Sequence, residues 1–514
     1  MLALAGAGLF VAALDAYLVV TLLPAMITDV GLTIERFEQA TPILTGFLCG
    51  YVIAMPLFGA YSDVRGRAPV YALCVVVFAA GSVVTATAGS LPWLVAGRVL
   101  QGLGGGGLVP LTLALAADLY EDRARTLALG AVSGLQEAGS VFGPIYGATL
   151  ASAASAAGGW RFVFWLNVPL AAICAAGLLA ASRDHGNRAA PVDSKADGPA
   201  RTFDNRASAV ARIFDWKSAS LLGLGLGLLV VALYPDDPDH RATSGLFIPL
   251  GILSLLVLAL YGWRQLNALE PLIPRPLLRS PRFAGVAAAN LLIGAALMVA
   301  LVDVPILGRL VFNLDQLASG LLLTQFLVGV PVGAILGGVV AGRIGERVTA
   351  VLGTLLAAAA FLQMSTWPAT ELAMRMGPFR SADIALAACG LGFGIVIAPL
   401  AATVLQLTRA QHHGLASSLV VLARVMGMLI GLSALTAFGL FRFRQILGTP
   451  QLTDPDVRAR IEHLGRLVAA AFLQEYREIF TIAAGMCILA AVVIFATIRR
   501  DSSGPALTPS APQR

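Results

Sequence analysis

Ionisable side chains inside apolar stretches are the residues of this sequence that could do chemistry. Asp15, Arg98, Glu137, Asp303 and Arg424 each lie within a long run of apolar residues. A charge at the centre of a membrane helix costs roughly 2.5 to 3.5 kcal/mol on insertion scales, so each group needs a partner, water or a function. A carboxylate in this setting can take up and release a proton, and a guanidinium can pair with its ionised form.

These residue types indicate proton coupling. We expect Asp15 and Glu137 to exchange a proton, and Arg424 to pair with the deprotonated carboxylate between two halves of the molecule. Protonation would break the pair, so a proton gradient, with no bound cofactor or metal, could move one half against the other. The alternative is that each carboxylate is permanently paired or lies in a wet vestibule. A structural role is the preferred interpretation for Asp303 and Arg98.

The elements that position these groups must be membrane helices. Hydrophobic residues make up 58% of the 514 residues and charged residues only 12%, which excludes an ordinary soluble protein. About fourteen apolar stretches can each cross a hydrocarbon core of roughly 30 Å as a helix. Backbone polar groups find no water there, and the alternating pattern of a membrane barrel is absent. The sequence therefore predicts an all-α polytopic membrane protein.

The distribution of basic residues predicts the topology. The net charge is +6, but the arginines lie in short loops rather than on one soluble face, so no nucleic acid is expected as a partner. Lys and Arg concentrate in the loops on one side, which the positive-inside rule assigns to the cytoplasm. Both termini are then cytoplasmic, in a bacterial inner (plasma) membrane. The five cysteines fall inside predicted spans, without metal-ligand spacing.

Composition also divides the chain. The predicted order is a six-helix bundle at 1–182, a polar cytoplasmic linker at 183–217, two extra membrane helices with their connections at 218–282, a second six-helix bundle at 283–500 and a cytoplasmic tail at 501–514. Within the second bundle, residues 442–478 carry charges between apolar residues at helical spacing. We expect the last two helices to project outside the membrane there as an amphipathic pair around a turn at 450–455. An ordinary external loop with a surface helix is the alternative.

Three groups of glycine and polar residues predict moving contacts. Between spans two and three, glycines permit a tight turn, an aspartate can cap a helix terminus, and arginines can pair with carboxylates of other helices in one conformation of the molecule. That contact would hold the helices together on the side of this loop. Positive-inside residues alone explain the arginines but not the glycine and aspartate. The residues are Gly59, Asp63, Arg65, Gly66 and Arg67.

The other two groups lie in spans four and five. Arg98, Gln101 and Gly102 stand in an apolar helix, where a buried arginine demands an anionic partner or water. The span-five residues are Gly139, Gly143, Pro144 and Gly147. There the glycines share one helix face for close approach, and the proline permits a kink at a gate. A small-residue packing seam is the alternative for this group.

Taken in order, these three motifs resemble those of the major facilitator superfamily, and span five resembles the motif of its antiporter branches. Val64 stands where the family usually has arginine, and a weaker copy of the first motif runs from Gly337 to Arg347. With two extra central spans, the chain resembles the fourteen-helix drug/proton antiporter branch. The resemblance implies two six-helix bundles, two central linker helices and a substrate site between the halves.

Four further segments resemble the mycobacterial triacylglyceride exporters, which act with a periplasmic lipid-carrying lipoprotein. These segments are residues 14–21, 135–140, 301–304 and 424–431. The resemblance implies a monomeric, proton-coupled exporter of triacylglyceride-like lipid, working by alternating access from the inner membrane toward the periplasm. A multidrug/proton antiporter is the alternative, and a non-transporting membrane receptor is a third. No motif of a hydrolase or nucleotide-binding enzyme is present, so no enzyme is expected.

Overall fold

The computed structural model describes residues 1–31, 41–153, 159–188, 215–233, 245–268, 271–314, 316–370, 372, 375–376, 379–447 and 457–498. The helices in chain order are α1 (Leu2–Asp29), α2 (Thr41–Arg65), α3 (Arg67–Ala86), α4 (Leu91–Leu119), α5 (Asp122–Ala153), α6 (Trp160–Arg188), α7 (Trp216–Leu233), α8 (Phe247–Asn267), α9 (Arg275–Leu278), α10 (Pro281–Leu310), α11 (Gln316–Leu321), α12 (Thr324–Ile344), α13 (Glu346–Met364), α14 (Ser381–Gln406), α15 (His413–Leu447) and α16 (Val457–Thr497).

The fold is helical almost throughout, as the composition predicts. Within the described ranges, thirteen helices are long and apolar enough to cross a membrane. The helix α5, with 32 residues, is a fourteenth long helix and packs between α1 and α12. The all-α prediction and the count of about fourteen are confirmed. One short feature was not predicted: Arg375–Met376 and Phe379–Arg380 form a two-residue antiparallel ladder.

Two halves of the chain repeat the same arrangement. In the first half α5 packs on α1, α4 on both α2 and α3, and α6 on α3; in the second, α15 packs on α10, α14 on both α12 and α13, and α16 on α13. The turn between the second and third helix of each half is also repeated. Gly66 has φ 93° and Gly345 has φ 89°, a left-handed region that glycine adopts without strain. The weak second copy of the first motif is therefore a true structural counterpart.

The halves meet mainly where α2 contacts α15 and where α5 contacts α12. The extra helix α7 packs against both α2 and α15, and α8 packs on α7. Most side chains of α8 are exposed, among them Leu255, Leu256 and Trp263, as suits a helix at the lipid-facing periphery. Helix α7 thus contacts both halves, whereas α8 contacts mainly α7.

The predicted divisions of the chain differ slightly from the helix ends. The helix α6 continues to Arg188, six residues beyond the predicted end of the first bundle at residue 182. The helix α7 begins at Trp216. The rest of the linker and the tail lie outside the described residues, so those two assignments stay predictions.

The last two helices are longer than a membrane requires. The helix α15 has 35 residues and α16 has 41, which at 1.5 Å per residue is roughly 52 Å and roughly 61 Å. Near their connected ends, the rings of Phe443 and Phe472 stack with centroids 4.3 Å apart. Arg442 donates two hydrogen bonds to Glu478, at 2.5 and 2.6 Å. The two helices are therefore paired where the sequence predicts the extension, while the turn at 450–455 lies outside the described residues.

Candidate functional site

Asp15 lies at the centre of a polar cluster inside the first half. Its side chain and that of Arg98 are fully buried, and Arg98 Nη1 lies 2.8 Å from Asp15 Oδ2. Gln101 donates to both carboxylate oxygens at 3.1 Å, and Asn167 Nδ2 donates to Oδ1 at 2.6 Å. The guanidinium of Arg98 also rests over the ring of Phe47, 4.3 Å from its centroid. The cluster joins α1, α4 and α6, and it satisfies the carboxylate on every side.

This arrangement corrects one expected pairing. Arg424 was expected to pair with whichever carboxylate was deprotonated, but the ion-pair partner of Asp15 is Arg98 of its own half. The reason is proximity within the bundle, since α4 packs against α1. The buried arginine of span four thus has the anionic partner that its position demands. A proton-transfer role for Asp15 remains a prediction.

Glu137 and Arg424 form an ion pair between the two halves. Arg424 Nη2 on α15 lies 3.7 Å from Glu137 Oε1 on α5, and the side chains are 10% and 20% exposed. Tyr17 and Tyr51 lie close enough to interact electrostatically with both members of the pair. The pair is looser and more accessible than the Asp15 cluster. It can therefore open without leaving a fully buried charge behind.

Glycines of α5 lie in two groups on either side of Glu137. We call each group a glycine seam, because another helix packs closely against it. A Cβ built on Gly130 would lie 2.7 Å from Ala334 O, and one on Gly134 would lie 2.8 Å from Ile335 Cγ1, so this face touches α12 of the second half. Farther along, a Cβ on Gly139 would lie 2.6 Å from Phe10 O of α1. Glu137 lies between the two seams.

The rest of the span-five motif continues the second seam. A Cβ on Gly143 would lie 2.6 Å from Leu14 O, and one on Gly147 would lie 2.9 Å from Leu18 Cβ. The three predicted glycines therefore share one face, and that face packs against α1. The backbone of Pro144 is helical, but its side chain lies outside the described atoms. Close packing is thus observed, and a gating role for these residues remains a prediction.

Glycines of α4 and α15 allow neighbouring helices to pack as closely as the glycines of α5 do. A Cβ on Gly102 would collide with Phe47 O of α2, and one on Gly427 would collide with Leu291 O of α10. On the other side of the same contact, a Cβ on Gly294 would collide with Arg424 O. Backbone atoms cannot move aside as side chains can. The glycines therefore hold the helices that carry Arg98 and Arg424 at short distance from their neighbours.

At one end of the molecule, the loop between α2 and α3 meets the start of α15. Asp63 accepts hydrogen bonds from the backbone N–H groups of Gly414 and Leu415, both at 2.9 Å. Free N–H groups and the positive end of the helix dipole make this a favourable place for a carboxylate. Gly59 allows the approach, because a Cβ there would lie 2.5 Å from Gly414 O. We call this contact, with Arg67, Asp118 and His413 below, the α2–α15 junction.

Arg67 and Asp118 complete the junction. Arg67 forms an ion pair with Asp63, lies 3.0 Å through Nε from Asp118 Oδ2, and donates to Ala410 O at 3.1 Å. His413 Nδ1 lies 2.7 Å from Asp118 Oδ1. Arg65 is exposed and takes no part in these contacts. The predicted contact between an arginine of this loop and a carboxylate exists, and Arg67 makes it.

Sequence reasoning missed three residues of these clusters. Asn167, Asp118 and His413 were not singled out as candidate site residues. Asp118 is an acid at the end of an apolar span, close to the arginine-rich loops, which is a usable signal. His413 looked like a loop residue, because nothing in the sequence shows that the start of α15 packs between α2 and α4.

Comparison with known proteins shows which family has this architecture. The family model for the Major Facilitator Superfamily matches residues 5–432. A triacylglyceride transporter of Mycolicibacterium hassiacum is 38% identical, with 96% of this chain and 91% of that protein covered. A triacylglyceride transporter of Mycobacteroides abscessus is 41% identical, with 84% and 80% covered. A triacylglyceride transporter of Mycobacterium tuberculosis is 38% identical, with 94% and 91% covered.

Solved structures show the same fold at low sequence identity. The human organic anion transporter TETRAN aligns with a TM-score of 0.60 at 18% identity, covering 96% of this chain and 98% of that one. The proton:xylose symporter XylE aligns with a TM-score of 0.58 at 14% identity, covering 96% and 94%. The repeated halves, the matching family model and the similar relatives agree. The chain belongs to the major facilitator superfamily and is a multi-pass membrane transport protein, not an enzyme.

Proposed function

We propose that this transporter is a proton-coupled exporter of triacylglyceride-like lipid, moving its substrate from the inner membrane toward the periplasm by alternating access. The ion pair between Glu137 and Arg424 is the observation that carries the coupling. It joins the two halves, its members are partly accessible, and either can be left unpaired when the halves separate. Protonation of Glu137 removes this attraction, because a neutral carboxylic acid no longer attracts the guanidinium as an ion.

In the proposed cycle, Glu137 is ionised while its ion pair with Arg424 joins the halves. A proton that enters by the accessible side neutralises the carboxylate, and Arg424 is released to water or to the neighbouring tyrosines. The halves can then rock about the bound lipid, and release of the proton restores the pair. Asp15 is the second acid of the proposal. Because it is fully buried and paired with Arg98, its exchange of a proton with Glu137 requires that this pair first opens.

The proposal also assigns a direction. The α2–α15 junction is closed, and the positive-inside rule puts its loops in the cytoplasm, with both termini. A molecule closed at that end is not open to the cytoplasm, and in the proposed cycle this arrangement follows loading of the substrate and precedes its release. The contacts of Asp63 and Arg67 with α15 support this assignment, since they hold the junction together.

Lipid is the preferred substrate for two reasons. Relatives that cover nearly the whole chain at 38% identity are named triacylglyceride transporters. In addition, α15 and α16 are far longer than the roughly 20 residues that a crossing needs, and they remain paired through Arg442 and Glu478. We propose that this pair projects on the periplasmic side as an apolar guide, where a lipid-carrying lipoprotein can accept the substrate.

The test is transport by the purified chain in vesicles. Fluorescent triacylglyceride is placed in the vesicle membrane, and its transfer to an acceptor is measured with and without an imposed pH gradient. Transfer that depends on the gradient, and is lost in Glu137→Gln, supports the proposal. Gradient-driven extrusion of drugs without lipid transfer would favour the multidrug/proton antiporter instead. Absence of both, in protein shown to be folded, would favour a non-transporting receptor.

A further inference from the structure

The extra helix α7 takes no part in the ion pairs or the junction described above, yet it lies against both halves. It follows α2 of the first half. The rings of Trp216 and Tyr61 are 5.2 Å apart near the α2–α15 junction. Farther along, Cβ atoms built on Gly223 and Gly227 would lie 2.9 and 2.8 Å from the side chain of Ile53. These contacts fix α7 to the first half, so we expect α7 to move with α2.

The other end of α7 is bonded to the second half. Ser433 Oγ of α15 donates a hydrogen bond to Leu233 O of α7 at 2.5 Å, and both residues are buried. Ser433 lies about 30 Å along α15 from the start of that helix at the junction, at a rise of about 1.5 Å per residue. We call this end of the molecule, away from the junction, the far end. The bond therefore crosses between the halves at the far end.

The acceptor of this bond is a carbonyl that needs a partner. Leu233 is the last residue of α7, and the last carbonyls of a helix receive no N–H group from the helix itself. Ser433 Oγ has a second acceptor within reach, because Leu429 O of its own helix lies at 3.1 Å. Serines in membrane helices often bond to such a carbonyl. The hydroxyl has one hydrogen to donate, and the shorter distance is the one to Leu233 O.

We propose that α7 is a strap that holds the far ends of the two halves together, fastened to the second half by the hydrogen bond between Ser433 and Leu233. Rocking that opens the far end moves α15 away from α2. Because α7 stays with α2, this hydrogen bond must then break. Opening at the junction leaves the bond in place. The bond therefore stabilises conformations that are closed at the far end relative to those that are open there.

The inference goes beyond the proposed function and rests on it only for the membrane side that each end faces. With the junction in the cytoplasm, the far end faces the periplasm. The strap then sets how easily the loaded molecule opens to release its substrate. This gives α7 a role in the transport cycle that is separate from the ion pair of Glu137 and Arg424.

A second serine provides a matched control, because it makes the same kind of bond to α7 without joining the halves. Ser254 Oγ of α8 donates to Gly225 O of α7 at 2.7 Å, and Ser254 is fully buried. Ser254→Ala therefore removes a buried bond within the extra pair of helices. Ser433→Ala removes a buried bond between the halves.

The test measures opening at each end by the distance between two spin labels. Thr87 and Thr366 are exposed, follow α3 and α13 at the far end, and belong to opposite halves. Val64 and Ile344 are exposed and report the junction end in the same way. Each pair is replaced in turn by labelled cysteines in full-length protein in lipid nanodiscs. Cys49, the native cysteine that is not buried, is replaced by serine in every sample.

All samples also carry Glu137→Gln, so that the ion pair with Arg424 does not hold the halves closed. Ser433→Ala should raise the ratio of open to closed molecules at the far end by roughly twofold to tenfold, as expected for the loss of one buried hydrogen bond between helices. The labels at the junction end should show no rise. Ser254→Ala should leave both ends unchanged.

An unchanged far end in Ser433→Ala, in protein shown to be folded by thermal unfolding, would overturn the proposal. Equal opening in Ser433→Ala and Ser254→Ala would also overturn it, as would opening of both ends by Ser433→Ala. Either result would trace the effect to general loosening of the helices rather than to a bond between the halves. Lipid transfer is measured separately, so loss of the proposed function leaves this readout intact.

Discussion

The carboxylate of Glu137 on α5 and the guanidinium of Arg424 on α15 lie 3.7 Å apart, across the boundary between the two halves. The ion pair of Asp15 and Arg98, by contrast, lies within one half and is fully buried. Separation of the halves must break the pair of Glu137 and Arg424, but it leaves the pair within one half intact. Loss of one member leaves an unpaired charge in a dry interior only in the pair of Asp15 and Arg98. The two acids that the sequence grouped together should therefore respond differently to mutation.

Glu137→Gln should lower gradient-driven lipid transfer by at least about tenfold, within the range of typical coupling energies of about 1 to 3 kcal/mol. The amide keeps the shape of the side chain but can neither titrate nor attract Arg424 as an ion. Transfer from proteoliposomes with an imposed pH gradient measures the effect. Glu346→Gln, which removes a carboxylate that bonds to Gln406, is the matched control and should transport normally. Normal transport by Glu137→Gln would end the coupling hypothesis.

Asp15→Asn should destabilise the protein rather than simply uncouple it. The amide leaves Arg98 charged and fully buried, a situation that costs about 3 to 5 kcal/mol. The free energy of unfolding in detergent measures this loss. The double variant Asp15→Asn with Arg98→Gln should recover part of it, because the unpaired charge is then gone. Single and double variants of equal stability would show that the pair is not the source of the effect.

Gly59→Ala should open the α2–α15 junction. The new Cβ would lie 2.5 Å from Gly414 O and 3.0 Å from Ser418 Cβ, and a backbone oxygen cannot rotate away. Such overpacking costs about 1 to 3 kcal/mol, so a reporter cysteine at the buried Ser417 should react with maleimide at least about fivefold faster.

Gly262→Ala is the matched control for this change. Gly262 lies inside α8 with nothing within 4 Å of the added Cβ, so the same substitution should leave the reactivity unchanged. Equal rates in the two variants would mean that the close approach of α2 to α15 does not limit opening.

Arg442→Glu should loosen the ends of α15 and α16, because it places two carboxylates where Arg442 now donates to Glu478. Amide hydrogen exchange in residues 465–478 should become roughly twofold to fivefold faster, since exposed ion pairs contribute little. The charge swap Arg442→Glu with Glu478→Arg should restore slow exchange. If the swap exchanges as fast as the single variant, the stacked Phe443 and Phe472 hold the helices without help from the ion pair.

Asp215 should give the start of α7 a dependence on acid pH. Burial raises the pKa of this carboxyl, but its bonds to Ser218 and Arg264 outweigh burial and lower the pKa below 3.8. A lowered folded-state pKa stabilises the protein fully above the unfolded-state value, and this contribution is lost as pH falls through the folded-state value.

Two variants separate the roles of Asp215. Asp215→Ala should cost about 0.5 to 2 kcal/mol at neutral pH, because Ser218 N then loses its acceptor at the helix start. Asp215→Asn should keep most of the cap and lose the acid dependence. Thermal unfolding at neutral pH and near pH 3 compares them. An acid dependence unchanged in Asp215→Asn would show that another group causes it.

Much of the fold followed from local properties of the chain. Apolar length identified the helices because lipid leaves the backbone no other partner. Short motifs identified Gly59, Asp63, Arg67 and the glycines of α5, since each has a geometric requirement that few residue types meet. The pairing of α15 with α16 was also predicted, because Phe472 and Glu478 belong to a readable amphipathic pattern.

The sequence by itself determined the membrane class, the two related halves and the short list of charged groups that lipid makes costly. Only the tertiary structure decided which charges meet. Asp15 found Arg98 rather than Arg424, and His413 found Asp118, because helix packing places residues far apart in the chain within a few ångströms. A local pattern can show that a buried charge requires a partner. Which partner it receives depends on how helices from both halves pack, and no single segment contains that information.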